Sequence, residues 1–288
     1  MKLREYKDIA YGPHERNRLD AYLADAGKEP SPVLVFFHGG GYVGGDKSAI
    51  LGMTLLQECL EAGISVVSCN YRFITKAPFP APMEDGTRAL QFVRSMAAEW
   101  GLDPKRVASS GSSAGGHIAL WNALKGNLAK PVSPDPVERY SSAVSAFVGF
   151  GTQVSKDQRF YTGMYEGPHI QPNIALFYGI PSEDELYKPE NLKLAEEASA
   201  INFMSATAPP AFMVYYYRLD DSKCIPKDAP VGEVIHHPMH GYVLQQKYLE
   251  FGIPYILRHS GDPVRPGEIV QFLRESFSMN ETENGRFP

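Results

Sequence analysis

"GSSAGGHIAL", residues 111–120, sets Ser113 between Gly111 and Gly115 in a GxSxG frame and then runs on through small residues into an apolar stretch. The frame alone is a weak signal in a chain holding 26 glycines among 288 residues. Its surroundings make it specific. "DPKRVASSG" ahead of it reads as a short strand and the residues after it as a helix, the setting in which a sharp turn pushes a serine hydroxyl out of the end of a sheet. Side chains at positions 111 and 115 would collide with neighbouring backbone in so tight a turn. The amide of Ala114 would then point at a developing oxyanion beside a helix N-terminus, where the dipole favours negative charge.

Upstream, "SPVLVFFHGGGYVGGDKS" begins as a continuous apolar run, as expected of a strand buried on both faces, and breaks into glycines at His38–Gly41. The amides of Gly39 and Gly40 can complete an oxyanion hole with that of Ala114, because glycine allows close backbone approach to a ligand. Between the two motifs come a helical pattern ending near Gly63, the buried strand "ISVVSCNY", a Pro-rich turn and the helical pattern "GTRALQFVRSMAAEWG". Strand, helix, strand, helix, strand predicts an α/β fold whose mostly parallel central sheet is covered on both faces. "AVSAFVG", "PPAFMVYYY" and "IPYILRH" continue the strand series, while residues 152–205 mix aromatics, proline and charge without strong periodicity. One domain over residues 1–288 is expected, with 152–205 as its cap or insertion. In that stretch Phe160, Tyr161, Tyr165, Phe177 and Tyr178 would either line a substrate pocket or form the segment's own core.

The totals exclude other classes. Lys plus Arg number 28 against 33 Asp plus Glu, with the signs interspersed, so no footprint for nucleic acid or an anionic membrane is present. A small molecule is the expected partner. Three cysteines, Cys59, Cys69 and Cys224, lack metal-ligand spacing and read as core thiols. The first residues hold no apolar run of signal-peptide length and no stretch reaches bilayer length, so the expectation is a soluble protein, cytoplasmic unless a leader has been removed.

"FFHGGGYVGGDKS", "VVSCNYRF", "PFPAPMEDGTRAL", "GLDPKRV" and "GSSAGGHIAL", in that order, resemble the hormone-sensitive-lipase-like esterases of the α/β-hydrolase superfamily over about residues 8–125. The resemblance implies an α/β-hydrolase fold and cleavage of carboxylic esters, with short acyl groups favoured, through an acyl-enzyme on Ser113. It requires no cofactor and no metal. It also implies that Asn70, Tyr71, Arg72 and Asp85 are framework residues, and that the triad follows in the order serine, acid, histidine. The acid belongs just past "AFMVYYY", where Asp220 and Asp221 stand, and an alignment by eye favours Asp220. The histidine belongs on the loop after the last strand, where "SGDPVRPGE" has none at the expected place near Arg265.

His259 is the nearest candidate, about six residues early, and at ~3.3 Å per extended residue it can serve only if the last strand ends before it. "VIHHPMHGYV" brings His236, His237 and His240 together, but Pro238 and the lack of carboxylate or cysteine at ligand spacing speak against a metal cluster. A loop or helix-entry cluster is the expectation there, with His240 an outside contender for the site. His38 is expected to support the oxyanion loop and His117 to face packing. Two functional readings stay open: an active serine carboxylesterase using Ser113, Asp220 and His259, or a catalytically impaired homologue that binds a ligand in the old pocket. The displaced histidine is what favours the second.

Overall fold

The structure is a computed structural model that describes residues 4–25, 27, 29–164, 169–219, 225–226 and 228–283. Eight strands form one sheet: β1 (Arg4–Ala10), β2 (Arg18–Leu23), β3 (Ser31–Phe37), β4 (Ser65–Cys69), β5 (Leu102–Ser112), β6 (Ala146–Phe150), β7 (Ala211–Val214) and β8 (Tyr255–Arg258). Their spatial order is β1-β2-β4-β3-β5-β6-β7-β8. β1 and β2 are joined antiparallel, as are β2 and β4, and every other neighbouring pair is parallel. The α/β expectation therefore holds, and the parallel strands coincide with the apolar runs of the sequence. β1 carries the mostly exposed sequence "REYKDIA" at the sheet's edge, where few apolar positions are needed, so hydrophobic patterning does not announce it.

The chain leaves β3 for β4 on one side and returns to place β5 on the other. That reversal is a topological switch point, and crevices at the carboxyl ends of the strands flanking such a point are where open α/β sheets bind ligands. Phe37 pairs in register with Gly111 across β3 and β5, so the HGGG loop and Ser113 emerge side by side. The helix Ala114–Lys125 that follows Ser113 is buried from Ala114 through Leu124, as expected of an element apolar on every face. Gly115 lies against the end of β3, and a Cβ there would collide with the carbonyl oxygens of Phe37 and His38.

Residues 152–205 hold the helices Gln158–Met164, Ile174–Tyr178 and Pro189–Ala198 between β6 and β7. Trp121 Nε1 donates to the Glu197 carbonyl at 2.8 Å and Phe79 N to the Phe177 carbonyl at 2.8 Å, tying this segment to the main body. Tyr161, Phe177 and Tyr178 are buried and Phe160 packs against the core, whereas Tyr165 lies outside the described residues. Cys59 and Cys69 are buried free thiols; Cys224 lies outside the described residues. No helix among the described residues is long and apolar enough to cross a membrane.

Gly115→Ala forces the β3 terminus and the serine turn apart. Overpacking of this kind costs about 1–3 kcal/mol, and a fall in the urea midpoint without a change in m-value is the expected signature in equilibrium unfolding. An unchanged midpoint would contradict the close approach.

Candidate active site

Ser113 sits at φ 50°, ψ −116°, a conformation rare for a residue with a side chain. The strain is held from both sides: Ser113 N donates to the Phe150 carbonyl at 2.8 Å, and His117 N donates to the Ser113 carbonyl at 3.0 Å. The result is the sharp strand-to-helix turn predicted from GxSxG. A Cβ built on Gly39 would lie 3.5 Å from Ser113 Cβ, so the HGGG loop touches the serine. Ala114 is the first residue of its helix and its N–H has no partner within that helix. Among the described residues, the amides of Gly39 and Gly40 donate to no backbone carbonyl.

The loop's own histidine is structural. His38 Nδ1 donates to the Gly39 carbonyl at 2.6 Å, Arg16 Nη2 donates to Nε2 at 3.2 Å, and the ring stacks on Tyr71 with centroids 4.5 Å apart. Burial lowers its pKa from 6.5 to about 4, so it stays neutral. Tyr71 Oη donates to the His38 carbonyl at 2.9 Å. Asn70 bridges the start of the next segment, accepting from Lys47 N at 2.6 Å and donating to Asp46 at 2.8 Å. Arg72 pairs with buried Asp85 at 2.8 Å. These four framework residues brace the oxyanion loop from β4 and the helix Ala81–Ser95.

The histidine at Ser113 is His236. Its Nε2 lies 2.9 Å from Ser113 Oγ. It is the last residue of a short helix, Val231–His236, in the connection between β7 and β8. Buried Gln153 holds that helix by donating to the Ile235 carbonyl at 2.7 Å. Gly151, at φ 54°, leaves room for the imidazole, since a Cβ there would be 3.2 Å from His236 Cδ2. Burial first, and the charge of Lys156 in addition, lower the His236 pKa from 6.5.

His259, the candidate read from the sequence, stands elsewhere. β8 does end at Arg258, as its use would require, but the backbone turns straight into a bridge between His259 and Asp262. Its Nδ1 accepts from Gly261 N at 3.1 Å and from Leu219 N at 3.5 Å. The tight reversal commits the ring to capping local amides, so His236 takes the place expected of His259. Asp220 and Asp221 lie outside the described residues. Of the other two histidines in the 236–240 cluster, His237 Nδ1 accepts from Met239 N at 3.1 Å, and His240 is fully buried beside Phe160 and Tyr161. No group of three metal-ligating side chains occurs among the described residues. His117 is likewise structural: Nε2 donates to the Ala198 carbonyl at 2.9 Å and Nδ1 accepts from Tyr42 Oη at 2.7 Å.

The signal that could have singled out His236 is positional. It follows the two aspartates and so keeps the order serine, acid, histidine, an order that His259 keeps as well. The choice among His236, His237 and His240 needs the helix end, which periodicity over six residues does not supply.

Comparison with known proteins agrees with this architecture. A family model described as BD-FAE matches residues 19–220. A protein named "Probable isoprenylcysteine alpha-carbonyl methylesterase" from Arabidopsis thaliana is 28% identical over 227 residues, covering 77% of this chain and 45% of its own. One named "Probable carboxylic ester hydrolase LipM" from Mycobacterium tuberculosis is 30% identical over 216 residues, covering 72% of this chain and 46% of its own. The chain thus spans less than half the length of these two relatives. Among solved structures, a truncated carbohydrate esterase from gut microbiota superposes with a TM-score of 0.73 at 20% identity, covering 96% of both chains.

His38 and His240 are buried and held neutral, so each must be desolvated in its charged form for the fold to survive in acid. With the folded pKa of His38 at about 4 and that of His240 at about 3, against 6.5 for an ordinary imidazole, the unfolded chain binds more protons in between. Their contribution to stability is complete above pH 6.5 and is lost as pH falls toward those values. Urea midpoints measured at pH 7 and pH 4.5 should drop accordingly, and imidazole NMR should place His236 below 6.5. A His236 titration at or above that value would contradict the site's electrostatics.

Proposed function

We propose that this chain, which belongs to the BD-FAE family, is a serine hydrolase of carboxylic esters whose base is His236. The observation that carries the reading is the 2.9 Å contact between His236 Nε2 and Ser113 Oγ, at the strained turn beside the HGGG loop. Ser113 Oγ attacks the ester carbonyl while His236 Nε2 takes its proton. The amides of Gly39, Gly40 and Ala114 hold the tetrahedral oxyanion, reinforced by the N-terminus of the helix that begins at Ala114. His236 then protonates the departing alkoxide, and water repeats the cycle on the acyl-enzyme with the same proton transfers. Asp220 is the proposed acid partner, with Asp221 next to it; the order serine, acid, histidine and their place after β7 support that choice. All proton transfers are made by side chains, so the mechanism calls on no cofactor.

Small esters with short acyl groups are the proposed substrates. Residues 152–205 act as the cap, and the support lies in where the segment's aromatic rings go. Phe177 packs on Tyr42 of the oxyanion loop at 5.1 Å and on Phe79 at 5.5 Å, filling space beside the nucleophile. The names of the relatives, a methylesterase and a carboxylic ester hydrolase, agree with ester cleavage. The impaired-homologue reading rested on a missing histidine, and His236 removes that premise.

Labelling by a fluorophosphonate, followed by intact mass, tests the assignment. Ser113→Ala should abolish labelling, His236→Ala should slow it by about 10³-fold or more, and His259→Ala should leave it within about twofold of the parent, because its ring caps loop amides and does not meet Ser113. Loss in His259→Ala with retention in His236→Ala would overturn the assignment. With a p-nitrophenyl acetate substrate, neutral His236 is the active form, so kcat/KM should fall as pH drops through a midpoint below 6.5. A midpoint at or above 6.5 would contradict it.

A further inference from the structure

Lys156 is a cation in the wrong place for a structural role. It follows β6 and lies 7% exposed, with its ammonium 4.9 Å from the Tyr42 ring and 5.5 Å from the Phe177 ring. Its charge is felt by His117, His236 and His240. The neighbouring carboxylate is committed elsewhere, Asp157 being paired with Arg159 at 2.6 Å. Among the described residues no carboxylate forms an ion pair with Lys156. Burying an ammonium without a partner is costly, and burial alone lowers its pKa from 10.5 to about 7.

The backbone around it is fixed on both sides. Lys156 N donates to Ser199 Oγ at 3.0 Å, and Tyr178 Oη donates to the Lys156 carbonyl at 2.7 Å. Ser199 Oγ itself donates to the Ala195 carbonyl at 2.7 Å. With the backbone anchored there, the ammonium lies near the rings of Tyr42, at the oxyanion loop, and Phe177, in the cap. Among the described residues, the groups recorded around it are the rings of Tyr42 and Phe177 and the imidazoles of His117, His236 and His240, none of which carries a negative charge.

We propose that Lys156 is a specificity residue that pairs with a carboxylate carried by the ester substrate, so that the enzyme prefers acidic esters over neutral ones of the same size. The inference rests on the esterase reading above. The carboxylate takes no part in bond making; acyl transfer to Ser113 and hydrolysis proceed as for any ester. Its role is to supply the counter-ion that the described residues do not offer, and in doing so to seat the scissile carbonyl against the oxyanion amides. A cation–carboxylate hydrogen bond formed out of water is the strong, charge-assisted kind, and it also relieves the buried ammonium. The acid group could be on the acyl side, as in a dicarboxylic acid monoester, or on the alcohol side, as in an acylated hydroxy acid.

Two pairs of probes separate those sources. Monomethyl succinate is compared with methyl butyrate for the acyl side, and acetoxyacetate with its methyl ester for the alcohol side. The parent protein should favour the charged member of at least one pair by about tenfold or more in kcat/KM, and Lys156→Met should collapse that ratio to near one or invert it. Equal rates in both pairs, or a preference that survives Lys156→Met, overturns the inference while leaving the esterase reading standing. Hydrolysis of neither neutral nor charged esters by the folded parent would instead count against the esterase reading.

Binding to the Ser113→Ala protein decides the inference without turnover. Calorimetry should show monomethyl succinate or acetoxyacetate bound, with affinity lost in Ser113→Ala/Lys156→Met. Equal affinity of the two proteins, or no binding to either, refutes it. Lys156→Gln serves as a second variant should methionine perturb packing, and a melting temperature at or above the parent's identifies a correctly folded protein.

Discussion

The pairing of β3 with β5 sets everything that follows, because it brings two backbone features together before any side chain is considered. Phe37 and Gly111 are partners in that ladder, so the glycine loop after one strand and the serine turn after the other leave the sheet together. Gly115 seals them by letting the helix start touch the carbonyls of Phe37 and His38. Any displacement there moves the amides of Gly39, Gly40 and Ala114 relative to Ser113 Oγ. Transition-state stabilisation depends on such donors being aimed in advance at the place where charge develops. The bracing by Tyr71, Asn70 and the Arg72–Asp85 pair is therefore best understood as support for a geometry, with stability a secondary outcome.

A second constraint is electrostatic. His38, His117 and His240 are all buried and held neutral, and each has a packing or hydrogen-bonding duty that a proton would disturb. In His117 both ring nitrogens are used, one toward Ala198 and one toward Tyr42. His236 differs because its Nε2 meets a hydroxyl that can give up a proton. Lys156 adds positive charge to the same region, which together with burial disfavours the imidazolium form of His236. An anionic substrate group would offset that charge where it is most expensive to bury.

Much of the architecture was legible in the residues. The long apolar runs that become β3, β4 and β6 are buried on both faces of a parallel sheet, and such strands show themselves without alternation. GxSxG and HGGG were readable because glycine is required where backbones nearly touch. β1 was not, since an exposed edge strand needs no apolar pattern. The histidine beside Ser113 escapes the sequence pattern for a related reason. His236 belongs to a six-residue helix whose C-terminal end is held by Gln153 and by contact with Gly151, and those are tertiary interactions from distant parts of the chain. His259 had the better local position and failed because the turn to Asp262 consumes its ring. Lys156 belongs to no motif; its burial, with no carboxylate paired to it among the described residues, sets it apart.

The most direct test is an experimental structure of the protein phosphonylated on Ser113, in which the phosphoryl group stands for the tetrahedral intermediate. The account predicts the phosphoryl oxygen within about 2.7–3.1 Å of the amides of Gly39, Gly40 and Ala114, with His236 Nε2 facing the leaving-group position. A phosphoryl oxygen pointing away from those amides, or His259 standing in place of His236, would contradict it.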